Sequence, residues 1–303
     1  MNIQMLRSDK IYKKMVLVGK DKRADIYRIE LMKPFEYKWN MINVPIKAKQ
    51  KGGYDVVMAS DMMGVLHPES VDEQQTERIS RISDDDLWNT CEKTIVQSFE
   101  RFRKVNCKLE YEKYLFTILL ANPENQFVKM CNGYLGDGGI PGYILLSLVP
   151  NDYTLTRAQA ALAHECNHNV RWQYQKWHLG VSLADMMISE GLAEYFAMKQ
   201  FGEDLIGPWV SKADTGTLNS QIKPVIRKGL EVTGFDKITG YLYGDETAEI
   251  MGFPQVGLPY CAGYACGYHL IKHYLEKTGK TVEEATLIPT EEIMRNSTSF
   301  WNM

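Results

Sequence analysis

The spacing of apolar positions along the chain divides it into a helical first third, a short strand-rich stretch and a helical remainder. Over 21–42, Ile26, Ile29, Leu31, Phe35, Trp39 and Met41-Ile42 recur at helical intervals, with Pro34 as a break. Lys51-Gly52-Gly53-Tyr54 reads as a turn. A stronger helix is predicted over 84–105, opened by Ser83 or Asp84, with Leu87, Trp88, Cys91, Ile95, Val96, Phe99 and Phe102 toward one side. The pattern then changes. Leu115–Leu120, Gln126–Met130 and Tyr143–Val149 are short apolar runs bounded by turn residues, and predict strands. The last of them follows a glycine-rich loop over 132–142. Thr156 with Gln159 fits a capping box opening a helix to about Trp172, and Ser182 with Asp185 opens another that ends near Gly202. Residues 203–258 are turn-rich, with one helix around 220–230. Pro259 begins a strong helix to about Lys277, and a short one covers 291–296.

This order of elements predicts an α+β fold, mostly helical, with a small sheet. It divides at about residue 105 into an N-terminal helical region, 1–105, and a second part, 106–303. Within the latter, 106–172 holds the sheet and one long helix, and 173–303 is helical.

Composition narrows the function. A net charge of −3, with no Lys/Arg block, argues against nucleic acid as a partner. No apolar run approaches the roughly 20 residues of a membrane-spanning helix, and the start of the chain lacks a cleavable leader pattern. The six cysteines lack the spacing of a disulfide framework, which points to reduced thiols and a cytoplasmic location.

The strongest chemical signal is His164-Glu165-Cys166-Asn167-His168, an HExxH pattern inside a predicted helix. Two imidazoles four residues apart project from one helix face and can meet a single ion. Glu165, offset from that face, is placed to take a proton from a water on the ion. A catalytic zinc wants a third protein ligand and an open position. The next predicted helix carries Ser189-Glu190-Gly191-Leu192-Ala193-Glu194-Tyr195 among otherwise apolar residues, so its two carboxylates want a reason. Glu190 is assigned as the third ligand of one Zn²⁺ per chain, and Glu194 as the carboxylate that holds the other nitrogen of a ligand histidine.

These motifs resemble the gluzincin zinc peptidases, in which HExxH is followed by a glutamate on the next helix. They are most similar to a YjaZ-like bacterial family of predicted zinc-dependent proteases. The resemblance runs from Gly138-Gly139-Ile140-Pro141-Gly142-Tyr143 through 164–171 and 190–197, and resumes at Ala262-Gly263-Tyr264-Ala265-Cys266-Gly267-Tyr268. It implies a gluzincin-like core in which the sheet lies beside the HExxH helix. Tyr143–Val149 would be an edge strand on which a peptide pairs, the alternative being a plain buried strand. The glycine-rich 133–142 loop would give close access to the metal, and Gly139 and Tyr143 are candidates to contact substrate or the oxyanion. Aminopeptidases of this type hold the substrate amine with an acid near that strand. Here Asp137 is the nearby acid and its spacing does not fit, so endo- or oligopeptidase action is preferred.

Tyr260, Tyr264 and Tyr268 share one helix face. Tyr264 is the first candidate to stabilise an oxyanion, with Tyr268 and His269 behind it, although such an aromatic stripe also suits a core. Arg171 suits substrate, Glu194 or plain surface structure equally. His269 and His273 lack a glutamate at the productive position, and Cys166 points away from the metal face. The expected partner is a peptide or protein substrate, and the oligomeric state is left open. Competing readings are an aminopeptidase or other zinc amidohydrolase, a metal-stabilised module that binds a peptide without cutting it, and a thiol enzyme using Cys166.

Overall fold

A computed structural model describes residues 1–50, 52–176, 178 and 180–302. Lys51, the first residue of the predicted turn at 51–54, lies outside them. The described residues form two compact units, one of 1–97 with 111–162 and the other of 98–110 with 163 onward.

The first unit is built on a four-stranded sheet. Its strands are β1 (Asn2–Met5), β2 (Lys113–Leu120), β3 (Tyr134–Asp137) and β4 (Tyr143–Leu148), in the order β1-β2-β4-β3. The first two pairings are parallel, with Ile3 opposite Tyr114 and Ile118 opposite Leu146. β3 closes back antiparallel on β4, with Gly136 opposite Leu146. Seven of the eight β2 residues are buried, the continuous apolar pattern of a strand covered on both faces. Trp88, from helix Asp85–Lys104, packs edge-on against Phe116 of β2. On that helix Trp88, Cys91, Ile95, Phe99 and Phe102 are buried as the spacing predicts, but Val96 is exposed.

Several elements differ from the sequence expectations. Residues 126–130 form a helix, capped by Asn125, whose side-chain oxygen accepts from the Val128 N–H (3.2 Å); a five-residue run is too short for period to separate helix from strand. β4 is an inner strand with neighbours on both sides, so its backbone does not offer a free edge to a peptide. Within the glycine-rich stretch lies a further strand, β3, and the first residues of the chain form β1. The 21–42 stretch breaks at Pro34, as its sequence predicts, and departs from the α-helix already before it. Helix Lys20–Ile26 runs through a π-helical stretch, Tyr27–Met32, and a tight turn at Lys33–Phe35 containing Pro34, into helix Glu36–Met41.

The HExxH helix spans Asp152–Tyr174 and starts four residues before the predicted box. Asn151 supplies the first-turn acceptor instead, taking the Thr154 N–H at 3.0 Å, while Thr156 turns back onto the Asp152 carbonyl (2.7 Å). Helix Leu183–Phe201 begins with the predicted capping box between Ser182 and Asp185 and stops at Gly202. Pro259 precedes its helix by three residues: the helix runs Ala262–Thr278, and Cys261 before it has a left-handed backbone (φ 50°). In place of one helix at 220–230, the segment from 203 to 258 holds several, among them Pro208–Ser211, Lys223–Gly229, Phe235–Tyr243 and Asp245–Met251.

In the second unit, helices 183–201 and 262–278 approach closely through two glycines. A Cβ on Gly191 would lie 2.3 Å from the Gly267 carbonyl group, and one on Gly267 would lie 2.1 Å from the Met187 carbonyl oxygen. No other residue fits at either position without parting the helices. Among the described residues no helix is long and apolar enough to cross a membrane.

Candidate metal centre

Helix 152–174 presents His164 and His168 on one face, and helix 183–201 brings Glu190 against them. One side-chain donor atom from each falls within a single small cluster. His164 Nε2 and His168 Nε2 are 3.0 Å apart, and Glu190 Oε2 lies 3.1 Å from the first and 3.2 Å from the second. A tetrahedral ion with bonds of about 2.0–2.1 Å spaces neighbouring donors by about 3.3–3.4 Å. The observed triangle is close to one face of that tetrahedron. His164, Glu165, His168 and Glu190 are 5, 6, 7 and 6 % exposed, so water screens their charges poorly.

Each imidazole is fixed from behind. His164 Nδ1 lies 2.9 Å from Glu194 Oε2, and His168 Nδ1 lies 2.9 Å from Ser189 Oγ. A carboxylate only accepts, so His164 donates through Nδ1, and its neutral form turns a bare Nε2 lone pair toward Glu190. In that form the His164 Nε2 lone pair and the Glu190 carboxylate oxygen converge where His168 Nε2 also points, an arrangement that a cation relieves. Two imidazole nitrogens and one carboxylate oxygen are donors suited to zinc.

Protons are the other remedy for that crowding, and the titration of the groups reflects it. Burial disfavours charge on His164, but Glu190 and Glu194 outweigh it and hold the imidazole pKa well above its ordinary value. Burial likewise opposes charge on Glu190, yet the two histidines bring its carboxyl down to about 2.

Glu194 is tied by three donors. Besides His164, it accepts the indole N–H of Trp209 (2.7 Å, on Oε2) and the backbone N–H of Gly207 (2.5 Å, on Oε1). The Trp209 ring stands edge-on to His164, with centroids 6.0 Å apart, and lies 6.3 Å from the ring of Tyr264. Tyr264 in turn packs against Tyr243 at 5.7 Å. Its phenol is held protonated, with a pKa well above the usual, by burial and by the charge of Glu190.

The structure therefore brings His164, His168, Glu190, Glu194 and Tyr264 together, with Glu165 buried one residue from His164 and its charge felt by that ring. Other candidates go elsewhere. Arg171 is buried and holds the C-terminal segment, donating to the Thr286 carbonyl (3.1 Å), the Ile288 carbonyl (3.1 Å) and Thr290 Oγ1 (2.9 Å). It is neither a surface group nor a partner of Glu194. Tyr268 packs against Tyr195 and His269, and His269 has its pKa lowered by burial and by Lys272 and Lys223. His273 pairs with Ser299 (2.9 Å). Cys166 is fully buried, and burial pushes its thiol pKa far up, the opposite of an activated nucleophile. Tyr143 belongs to the first unit, where it stacks on Tyr37 and packs against Phe35, and Gly139 stands in the loop before it with open space where a Cβ would lie.

Sequence reasoning missed Ser189, Gly207 and Trp209. Ser189 was part of the glutamate motif, but a serine beside a ligand carries no signal of its own. Gly207-Pro208-Trp209 does mark a helix start, yet the helix it opens is four residues long and has no readable face.

These features define a class. A family model described as predicted Zn-dependent protease (DUF2268) matches residues 87–295, which include every donor of the cluster, and the chain belongs to that family. It is similar along nearly its whole length to the uncharacterized protein YjfC of Bacillus subtilis (strain 168), with 36% identity over 295 residues and 97% of each chain covered. It also resembles the uncharacterized protein YjaZ of the same organism, with 24% identity over 145 residues, 48% of this chain and 52% of the relative. No solved structure matches the chain.

Proposed function

We propose that this protein is a gluzincin-type zinc peptidase that cleaves within peptides or proteins, with one Zn²⁺ per chain held by His164, His168 and Glu190. The observation that carries this reading is the triangle of candidate ligand atoms, His164 Nε2, His168 Nε2 and Glu190 Oε2, at 3.0–3.2 Å from one another and backed by Glu194 on His164. Zinc in such a site supplies Lewis acidity toward a water and a substrate carbonyl. Glu165 accepts the proton of the attacking water and returns it to the leaving amine. Tyr264, kept protonated, donates its hydroxyl hydrogen to the developing oxyanion. Glu194 keeps the Nδ1 proton on His164, so that Nε2 remains a ligand. Endo- or oligopeptidase action is favoured over aminopeptidase action because the Asp137 carboxylate is already paired with the buried Lys38 ammonium (2.7 Å), which leaves it unsuited to hold a substrate amine. A peptide or protein in the cytoplasm is the expected substrate.

The test is metal content and cleavage together. Wild type is expected to hold one zinc per chain and Glu190→Ala to lose it. Glu165→Gln should keep zinc while cleavage of internally quenched peptides falls about 10²–10⁴-fold. Aminoacyl amides should be poor substrates. Wild type that takes up no zinc after loading, or Glu165→Gln that cleaves normally, overturns the reading.

A further inference from the structure

We infer that Trp209 is a positioning residue of the metal site: its indole N–H, together with the Gly207 N–H, locks the Glu194 carboxylate that sets His164, and its ring spans from His164 to Tyr264. The inference rests on the zinc reading above and extends it to a residue outside the HExxH and glutamate motifs.

Glu194 is buried on a helix whose neighbouring residues Leu192, Ala193, Phe196 and Ala197 are buried and apolar. A carboxylate there would otherwise turn about its last torsion, which is broad and soft. Two of its three donors come from the short 207–209 segment. Trp209 Nε1 and His164 Nδ1 share Oε2, at 2.7 and 2.9 Å, while the Gly207 N–H takes Oε1. The carboxylate is therefore pinned at both oxygens before His164 is counted, and its plane dictates where the imidazole points.

Space at Gly207 is independent support. Its backbone is ordinary (φ −64°, ψ 154°), so conformation does not demand glycine. A Cβ there would fall 2.1–2.5 Å from Trp209 Cε2, Cζ2 and Nε1. The residue is bare so that the indole can lie across it with its N–H toward Glu194. In that place the ring meets His164 at 6.0 Å and Tyr264 at 6.3 Å, so one side chain sets a ligand and braces the oxyanion donor.

The test compares Trp209→Phe, which keeps a ring but removes the N–H, with Gly207→Ala, which displaces the indole by another route. Zinc affinity is measured by chelator competition, and the visible absorption of the Co²⁺-loaded protein reports coordination geometry. Both variants should bind zinc about 10–100-fold more weakly than wild type and shift the Co²⁺ bands. Because Trp209 acts through Glu194, adding Trp209→Phe to Glu194→Gln should weaken binding little further. Wild-type affinity and bands in Trp209→Phe, or losses that simply add in the double variant, overturn the inference while leaving the zinc reading intact. A wild type that binds no zinc overturns both.

Discussion

The contact between Gly191 and Gly267 sets a measurable limit on the site. In Gly191→Ala the new methyl would lie 2.3 Å from the carbon and oxygen of the Gly267 carbonyl and 2.9 Å from the Tyr268 nitrogen. Ordinary contact begins at 3.4 Å, so helices 183–201 and 262–278 must part by about 1 Å. All three atoms struck are backbone, so no rotamer change relieves the clash. Overpacking of this kind costs roughly 1–3 kcal/mol, offset by up to about 1 kcal/mol from the better helix propensity of alanine. A net loss of about 1–2 kcal/mol lowers Tm by about 2–8 °C in a protein of this size. The same 1 Å moves Glu190, one residue away, relative to Tyr264, and displacement on that scale costs about 10²-fold in rate. Thermal unfolding of metal-free protein reads the first effect, and peptide cleavage at saturating zinc reads the second. Gly139→Ala, whose new Cβ would meet nothing within 4 Å, is the control and should not lower Tm. A Gly191→Ala protein with wild-type Tm and wild-type cleavage would refute the close-packing argument.

Other expectations test separate parts of the structure. Tyr264→Phe should retain zinc and lower kcat by about 10²–10³ with KM little changed, as removal of one oxyanion donor does; an unchanged kcat would remove Tyr264 from the reaction. Arg171→Ala leaves the Thr286 and Ile288 carbonyls without their guanidinium donor and should cost about 3 kcal/mol or more, read by urea unfolding and by earlier proteolysis near that segment; normal stability would refute the clamp. Asp185 in the capping box has a lowered pKa: burial raises it, but the Ser182 and Thr290 hydroxyls, the Ser182 N–H and Arg171 prevail. A carboxyl with a lowered folded pKa stabilises above its unfolded pKa and loses that contribution as pH falls through the folded value. Asp185→Asn should therefore cost about 1 kcal/mol at pH 7 and progressively less below about pH 4, by urea unfolding at each pH; a gap that widens in acid would contradict this.

What the sequence revealed of the site depended on local geometry. The i, i+4 spacing of His164 and His168 and the two carboxylates on an otherwise apolar helix were enough to predict that His164, His168, Glu190 and Glu194 converge, because helix periodicity carries that information. The Ser182/Asp185 box was legible for the same reason. The contributions of Gly207 and Trp209 arise from a turn and a four-residue helix, where no period exists to read. Arg171 could not be placed because its partners lie more than a hundred residues on, at 286–290. In the sheet, β2 and β4 stood out as continuous apolar runs. The pairing order did not, since a strand's neighbours depend on tertiary contacts, and β3 was hidden among glycines that read as loop. The Asp152 start was misplaced because two capping signals, at Asn151 and Thr156, stand within five residues of each other.

The three residues that could hold a metal ion offer nitrogen and oxygen only, while all six cysteines are buried and free and none of them belongs to the donor cluster, Cys166 within HExxH included. Imidazole and carboxylate do not travel the oxidation ladder that thiolates do. Peroxide or a disulfide-forming oxidant therefore has no ligand to attack, and metal retention should be indifferent to redox conditions that strip zinc from cysteine-based sites. On the zinc reading proposed above, oxidative stress would leave the centre intact, and metal supply rather than thiol state would set its occupancy.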